Sequence, residues 1–256
     1  MPAAVKLTVL GSGTSGGVPR VPLSWGACDP NNPKNRRRRV SVLVEQEATA
    51  LLIDTSPDLR EQLLDARVER LDGVFYTHDH ADHTHGIDDL RGLYHAMGRP
   101  VDVWADDATL AELKHRFRYI FHPIHGYPAI AKGHVLTGPV RVGPMRVVPF
   151  EQGHGPVISL GYRIGPVAYS TDVKTLPESA FDALAGVRVW VVDALRYDPH
   201  PTHAHLDQTL DWITRVAPER AILTHLNWDM DYETLRRELP DGVEPAYDGL
   251  VVEVAS

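Results

Sequence analysis

Cysteine is nearly absent from this chain of 256 residues; Cys28 is the only one. No intramolecular disulfide can form, so an oxidising compartment offers it no stabilisation. Long apolar runs are missing too. Nothing approaches the roughly 20 residues that cross a bilayer, and Met1-Pro2-Ala3-Ala4-Val5-Lys6 leads straight into a strand-like run without a secretory layout. These absences predict a cytoplasmic protein with no membrane partner. Positive charge is in deficit, with 26 Lys and Arg against 34 Asp and Glu, a formal net charge of -8. Proteins that wrap long nucleic acid are usually basic on at least one face. Long nucleic acid is therefore disfavoured as a partner, whereas a small phosphate ligand held by a local basic patch is not. Repeats, low-complexity segments and Ser/Gly-rich linkers are also lacking. With 43% hydrophobic residues, the simplest organisation is one domain over residues 1–256.

Histidine is plentiful, at 14 residues. Four of them, with two aspartates, fall within the nine residues Thr77-His78-Asp79-His80-Ala81-Asp82-His83-Thr84-His85. Imidazole nitrogens and carboxylate oxygens are ordinary ligands of zinc, manganese and iron. Helical ligand pairs recur at three or four residues, so H-x-H-x-D-H does not fit one helix face. It predicts a loop wrapping a metal pair, beginning where the apolar run Gly73-Val74-Phe75-Tyr76 ends as a strand.

Strands are expected at 5–10, 40–46, 50–54, 101–105, 145–151, 157–164, 167–170, 188–193, 221–224 and 250–254. Helices are expected at 57–66, 87–97, 108–117, 177–184, 206–216 and 232–239. Residues 121–143, rich in Pro, Gly and His, read as one long loop. Strands in both halves with helices between them fit an α+β fold of two packed sheets with helices outside. Gly11, Gly13 and Gly16 have the G-x-G-x-x-G spacing of a dinucleotide site. That reading fails, because Val18-Pro19-Arg20-Val21-Pro22 cannot begin the helix whose N-terminus would hold the pyrophosphate.

One motif supplies four ligands, and two metals need more. His154, Asp172 and His225 each follow directly on an expected strand. Loops on a rigid scaffold can bring such residues to one point.

The ligand pattern resembles that of metallo-β-lactamase-fold hydrolases: H-x-H-x-D-H, a later His, an Asp after a strand, and a final His. Three further stretches sharpen the likeness: Gly11-Ser12-Gly13-Thr14-Ser15-Gly16-Gly17-Val18-Pro19, Asn35-Arg36-Arg37-Arg38-Arg39-Val40-Ser41, and Pro201-Thr202-His203. Together they look like the phosphoribosyl 1,2-cyclic phosphate phosphodiesterases of phosphonate breakdown, relatives of the tRNA 3′-processing nucleases. The resemblance implies an αββα sandwich. It makes His78, His80 and His154 ligands of one metal and Asp82, His83 and His225 ligands of the other, with Asp172 bridging. It gives catalytic roles to His203 and Asp82, although His205 stands close enough to His203 to compete for the acid's place. Many relatives carry a cysteine cluster for a structural zinc; Trp25-Gly26-Ala27-Cys28-Asp29 has one cysteine, so no such zinc is expected.

The implied activity is dinuclear hydrolysis of a small cyclic or nucleotide-like phosphodiester, with two divalent ions, zinc or manganese, as cofactors. Paired metals neutralise the anionic diester and lower the pKa of a bridging water towards ~7. A histidine titrates in the right range to serve the leaving alkoxide. Arg37, Arg39 and Ser41 are the expected substrate-binding residues. Strand alternation allows at most two of the four consecutive arginines to face one site. The alternatives are a tRNA 3′-processing endonuclease, for which no basic RNA-gripping arm is evident, a thioester or lactam hydrolase, and a metal-binding accessory protein without turnover. Assembly as a homodimer is left open.

Overall fold

The computed structural model describes residues 3–255. Its strands, in chain order, are β1 (Val5–Gly11), β2 (Ser41–Gln46), β3 (Thr49–Ile53), β4 (Gly73–Phe75), β5 (Val101–Ala105), β6 (Ala131–Val135), β7 (Val140–Val142), β8 (Met145–His154), β9 (Val157–Ile164), β10 (Val167–Ser170), β11 (Val189–Asp193), β12 (Arg220–Thr224), β13 (Val243–Pro245) and β14 (Val251–Val254). They form two sheets of seven, ordered β14-β1-β2-β3-β4-β5-β6 and β13-β12-β11-β10-β9-β8-β7. The α-helices are α1 (Leu59–Asp65), α2 (Ala81–Thr84), α3 (Leu90–Met97), α4 (Asp107–Arg116), α5 (Arg118–Phe121), α6 (Glu178–Leu184), α7 (Leu206–Val216) and α8 (Tyr232–Glu238).

Strand alternation explains the layering. Side chains of period two point to opposite faces, and here both faces are covered, so the strands are apolar nearly throughout. Val42, Val44, Leu51 and Ile53 enter the core between the sheets, where they meet Tyr162, Tyr169, Val189 and Val191. Their neighbours Leu43 and Leu52 face outward to a second core with Leu59, Leu63, Leu90 and Leu113 of the helices. Trp190 and Val192 of β11 do the same on the far side, against Leu184, Leu206, Ile213 and Leu235. Helix, sheet, sheet and helix therefore stack as the expected αββα sandwich.

Two differences from the sequence reading have a common origin. The expected loop over 121–143 contains β6 and β7, and β13 was not expected at all. All three are edge strands at the ends of their sheets. Edge strands carry polar or proline residues because one side is unpaired, so their composition resembles a loop. Their conformation comes from the partner: β6 lies parallel to β5, with Val101 opposite Ala131. The expected helix 87–97 is also divided. Ile87–Asp89 is a 3-10 turn that leads into α3.

The parallel sets β3-β4-β5-β6 and β10-β11-β12-β13 point their C-terminal ends to one edge of the sandwich. Crevices outside those ends are the usual ligand position in parallel sheets.

Candidate metal centre

That edge gathers the expected metal-binding residues. His78 and His80 follow β4. Asp82 and His83 lie on α2, a single helical turn where a loop was expected. Gly86 closes the motif where a Cβ would stand 2.0 Å from the Ser56 carbonyl oxygen, so only glycine fits. His154 ends β8, Asp172 follows β10, and His225 follows β12. Asp172 has φ 50 and His225 φ 59, the left-handed region that non-glycine residues rarely occupy. Strain of this kind concentrates at functional sites.

The side chains converge in two groups that share one member. Nitrogens or oxygens of His78, His80, His154 and Asp172 lie within 4.8 Å of one another, as do those of Asp82, His83, Asp172 and His225. Asp172 divides its oxygens between them. Oδ2 is 3.5 Å from His154 Nε2 and 3.8 Å from His78 Nε2. Oδ1 is 3.1 Å from His83 Nε2 and 3.6 Å from His225 Nε2.

The outer ring nitrogens are tied back. His83 Nδ1 is 2.7 Å from Asp54, His78 Nδ1 2.9 Å from the Thr77 hydroxyl, and His154 Nδ1 2.7 Å from the Thr202 carbonyl. Such partners fix ring orientation and leave Nε2 facing inward. The Nε2 atoms of His78, His83 and His225 are buried without a hydrogen-bond partner. Buried polar atoms are rarely left unpaired, and three inward nitrogens around a carboxylate are the donor set a divalent cation takes. The residues fit the ion.

The electrostatics agree. Burial works against the charge on Asp172, yet His225, His83 and His78 pull its carboxyl well below the usual range. Asp82 is likewise drawn down by His83 and His225 against its burial. Burial, and then the charge on His83, pushes His78 well below an ordinary histidine. Burial also disfavours a proton on His83, but Asp172, Asp82 and Asp54 outweigh it and raise that histidine well above its usual value. Neighbouring imidazoles thus compete for positive charge in one carboxylate-rich pocket. A metal ion satisfies all of them once their protons are displaced.

His203 stands beside the cluster. Its Nδ1 is 2.8 Å from Asp193 Oδ2 and its Nε2 is 3.7 Å from Asp172 Oδ2. Burial opposes protonation, but Asp193 prevails and raises the His203 pKa to about 9. His203 also forms a third close group with Asp193 and His225, whereas His205 takes the N-cap position of α7 and belongs to none of the three. The geometry therefore brings His203, and not His205, to the cluster.

Two expected substrate contacts are turned away. Arg37 is 2% exposed and donates inward, to the carbonyls of Asn227 at 3.1 Å and Met230 at 2.6 Å. It braces the loop that follows His225. Ser41 Oγ is buried and donates to the carbonyls of Ile53 and Asp54. Arg39 is half-buried, pairs with Asp58 at 3.1 Å, and lies beside the Gly17 turn. Arg37→Ala is expected to lower the unfolding free energy by about 3 kcal/mol, because it strips two buried carbonyls of a charged donor. Chemical denaturation measures this. A loss under about 0.5 kcal/mol would show that the brace contributes little.

Cys28 is buried beside Arg37, whose guanidinium reaches its sulfur at 3.7 Å. It belongs to none of the ligand groups. Cys28→Ser is expected to leave metal content and turnover near the parent's; a large loss of either would contradict this placement.

Asp54 is the residue that motif reading missed. It holds His83 Nδ1 and accepts from the Thr77 backbone and hydroxyl, at φ 63. A carboxylate ending the apolar strand Ala50-Leu51-Leu52-Ile53 was the available signal. Asp79 and His85, free positions in the motif, face outward: Asp79 pairs with Arg116, and His85 packs edge-on against Phe117. The stretch from Ser12 to Gly17 has no following helix. It lies along the far side of the site, where Ser12 accepts from Leu226 N and Thr14 donates to the Leu226 carbonyl.

An αββα sandwich with a shared-aspartate histidine cluster at one edge defines a metal-dependent hydrolase of the metallo-β-lactamase fold. The chain belongs to the beta-lactamase superfamily, whose domain model matches residues 49–226. A crystal structure described as a new diphosphatase from the PhnP family superposes with a TM-score of 0.93 at 36% identity, covering 99% of this chain and 98% of that one. Human tRNase Z, short form, shares the fold at a TM-score of 0.68 and 16% identity, over 96% of this chain and 98% of that one. An octanoyltransferase of Porphyromonas gingivalis is 34% identical over 252 residues. Those residues are 96% of this chain and 51% of that protein, so the chain spans about half its curated relative's length. Among the described residues, no helix is long and apolar enough to cross a membrane.

Proposed function

We propose that the protein hydrolyses a small phosphodiester, cyclic or nucleotide-like, with two divalent cations, zinc or manganese, in the histidine cluster. The observation that carries this reading is the division of Asp172 between two histidine groups. His78, His80, His154 and Asp172 would hold one ion, and Asp82, His83, Asp172 and His225 the other. Bound there, the pair would supply Lewis acidity towards the phosphoryl oxygens and a nucleophile at neutral pH. His203 holds a proton at Nε2 while Asp193 fixes Nδ1, so it delivers that proton to the departing oxygen. Asp54, Thr77 and the Thr202 carbonyl keep the ligand rings in place. Arg39, beside the Gly17 turn, is the remaining candidate for binding the substrate's anionic oxygens. The setting we take is the cytoplasm, on the ground of cysteine usage.

A second reading is cleavage of a diphosphate bridge, favoured by the name of the 36% identical PhnP-family structure. Both readings use the same residues. The test is a panel of cyclic nucleotides, sugar cyclic phosphates, dinucleoside diphosphates and bis(p-nitrophenyl) phosphate against metal-loaded protein. Turnover of diesters supports the first reading and turnover confined to diphosphates the second. No turnover of any member would contradict both.

A further inference from the structure

A group of arginines lies at the opposite end of the second sheet. β8 carries His154 at one end and Arg146 near the other, eight residues of extended chain away or about 26 Å. There a cavity of about 590 Å³ is lined by Arg141, Arg146, Arg163 and Arg188 and, among the described residues, by no carboxylate side chain. In a chain with 34 acidic and 26 basic residues, composition does not explain this grouping.

The strand register puts all four on one face. Arg141 stands directly opposite Arg146 across β7 and β8. Arg163 stands opposite Val148, two residues beyond Arg146 and on the same side of the sheet. Arg163 is opposite Ala168, and Ala168 opposite Trp190, two residues beyond Arg188. Ala168 and Trp190 face the outer core, so the arginines form a row along the outer face.

The row is part rigid and part unpaired. Arg188 is held by Glu219 and by the Ala255 carbonyl. Arg163 donates to the carbonyls of Gly165, Ala183 and Ala185. Arg141 and Arg146 have no ion-pair partner among the described residues; Arg141 reaches only the Pro144 carbonyl, at 3.5 Å. Like charges directly opposite in a sheet repel, and nothing in the fold requires arginine at exposed positions 141 and 146. An anion between them removes the repulsion. Guanidinium forks match phosphate oxygens bidentately, and the volume suits a small ligand.

We propose that this cavity is a second anion site, separate from the histidine cluster, that binds a small ligand through two or more linked phosphate groups. The test is calorimetric titration of ADP and of adenosine into the metal-loaded protein and into Arg141→Ser/Arg146→Ser. Turnover of a chromogenic substrate is measured in both, as is competition by ADP. ADP should bind the parent at a site that substrate does not displace, and at least tenfold more weakly to the double variant. Adenosine should not bind there. Turnover should stay within twofold of the parent's, which shows that the variant is folded and its catalytic edge intact. Equal ADP affinity in both proteins would overturn the proposal. So would ADP binding that substrate fully displaces, adenosine binding as tight as that of ADP, or no ADP binding at millimolar concentration.

Discussion

Asp172→Ala is expected to empty both metal positions at once and to bring turnover down to background. Asp172 is buried and shared, with one oxygen facing each histidine group. Alanine removes the carboxylate that would hold the two ions together and leaves the inward imidazoles of His78, His83 and His225 without the negative charge they share. Each site would keep three candidate ligands but lose the negative charge between two divalent cations, which repel strongly at short range. Elemental analysis of the variant should fall from two ions per chain towards none. The fold should persist, because the apolar cores are remote from the change; circular dichroism checks that. A variant that kept one ion and a substantial part of the activity would show that Asp172 serves one position only.

His203→Ala is the second large effect, and it should have the opposite signature. Both ions should remain, since the Nδ1 of His203 is committed to Asp193 and His203 lies outside both shared-aspartate groups. Turnover should fall by roughly 10²- to 10⁴-fold, the usual size of a general acid contribution. The loss should shrink for a nitrophenyl ester, whose leaving group departs without a proton. Equal losses on activated and unactivated esters would indicate that His203 positions the substrate. Loss of a metal ion would show it to be a ligand. His205→Ala, at the α7 N-cap, should have a small effect on both readouts.

Much of this site was legible because its chemistry is written in local runs. His78, His80, Asp82 and His83 are adjacent in sequence, and His154, Asp172 and His225 each end a recognisable apolar strand. The two-sheet layering was legible from strands in both halves with helices between them, and the αββα order from the family resemblance; strands such as Val42-Leu43-Val44 are apolar on both faces because both are covered. What was not legible depends on contacts distant in sequence. Asp54 acts through His83, 29 positions away. Arg37 was read as a phosphate ligand, yet it reaches the carbonyls of Asn227 and Met230, 190 and 193 positions away. Basic composition alone does not say whether a guanidinium points to solvent, substrate or backbone. β6, β7 and β13 were hidden because edge strands take their shape from a neighbour rather than from their own residues.

Turnover should require two metal equivalents per chain, and a metal titration measures this. The protein is stripped with a chelator, confirmed free of metal, and reloaded stepwise with zinc or with manganese while turnover of bis(p-nitrophenyl) phosphate is followed. The stripped protein should show no turnover, and activity should reach its plateau at two ions per chain. A plateau at one ion per chain, or turnover that survives stripping, would contradict this.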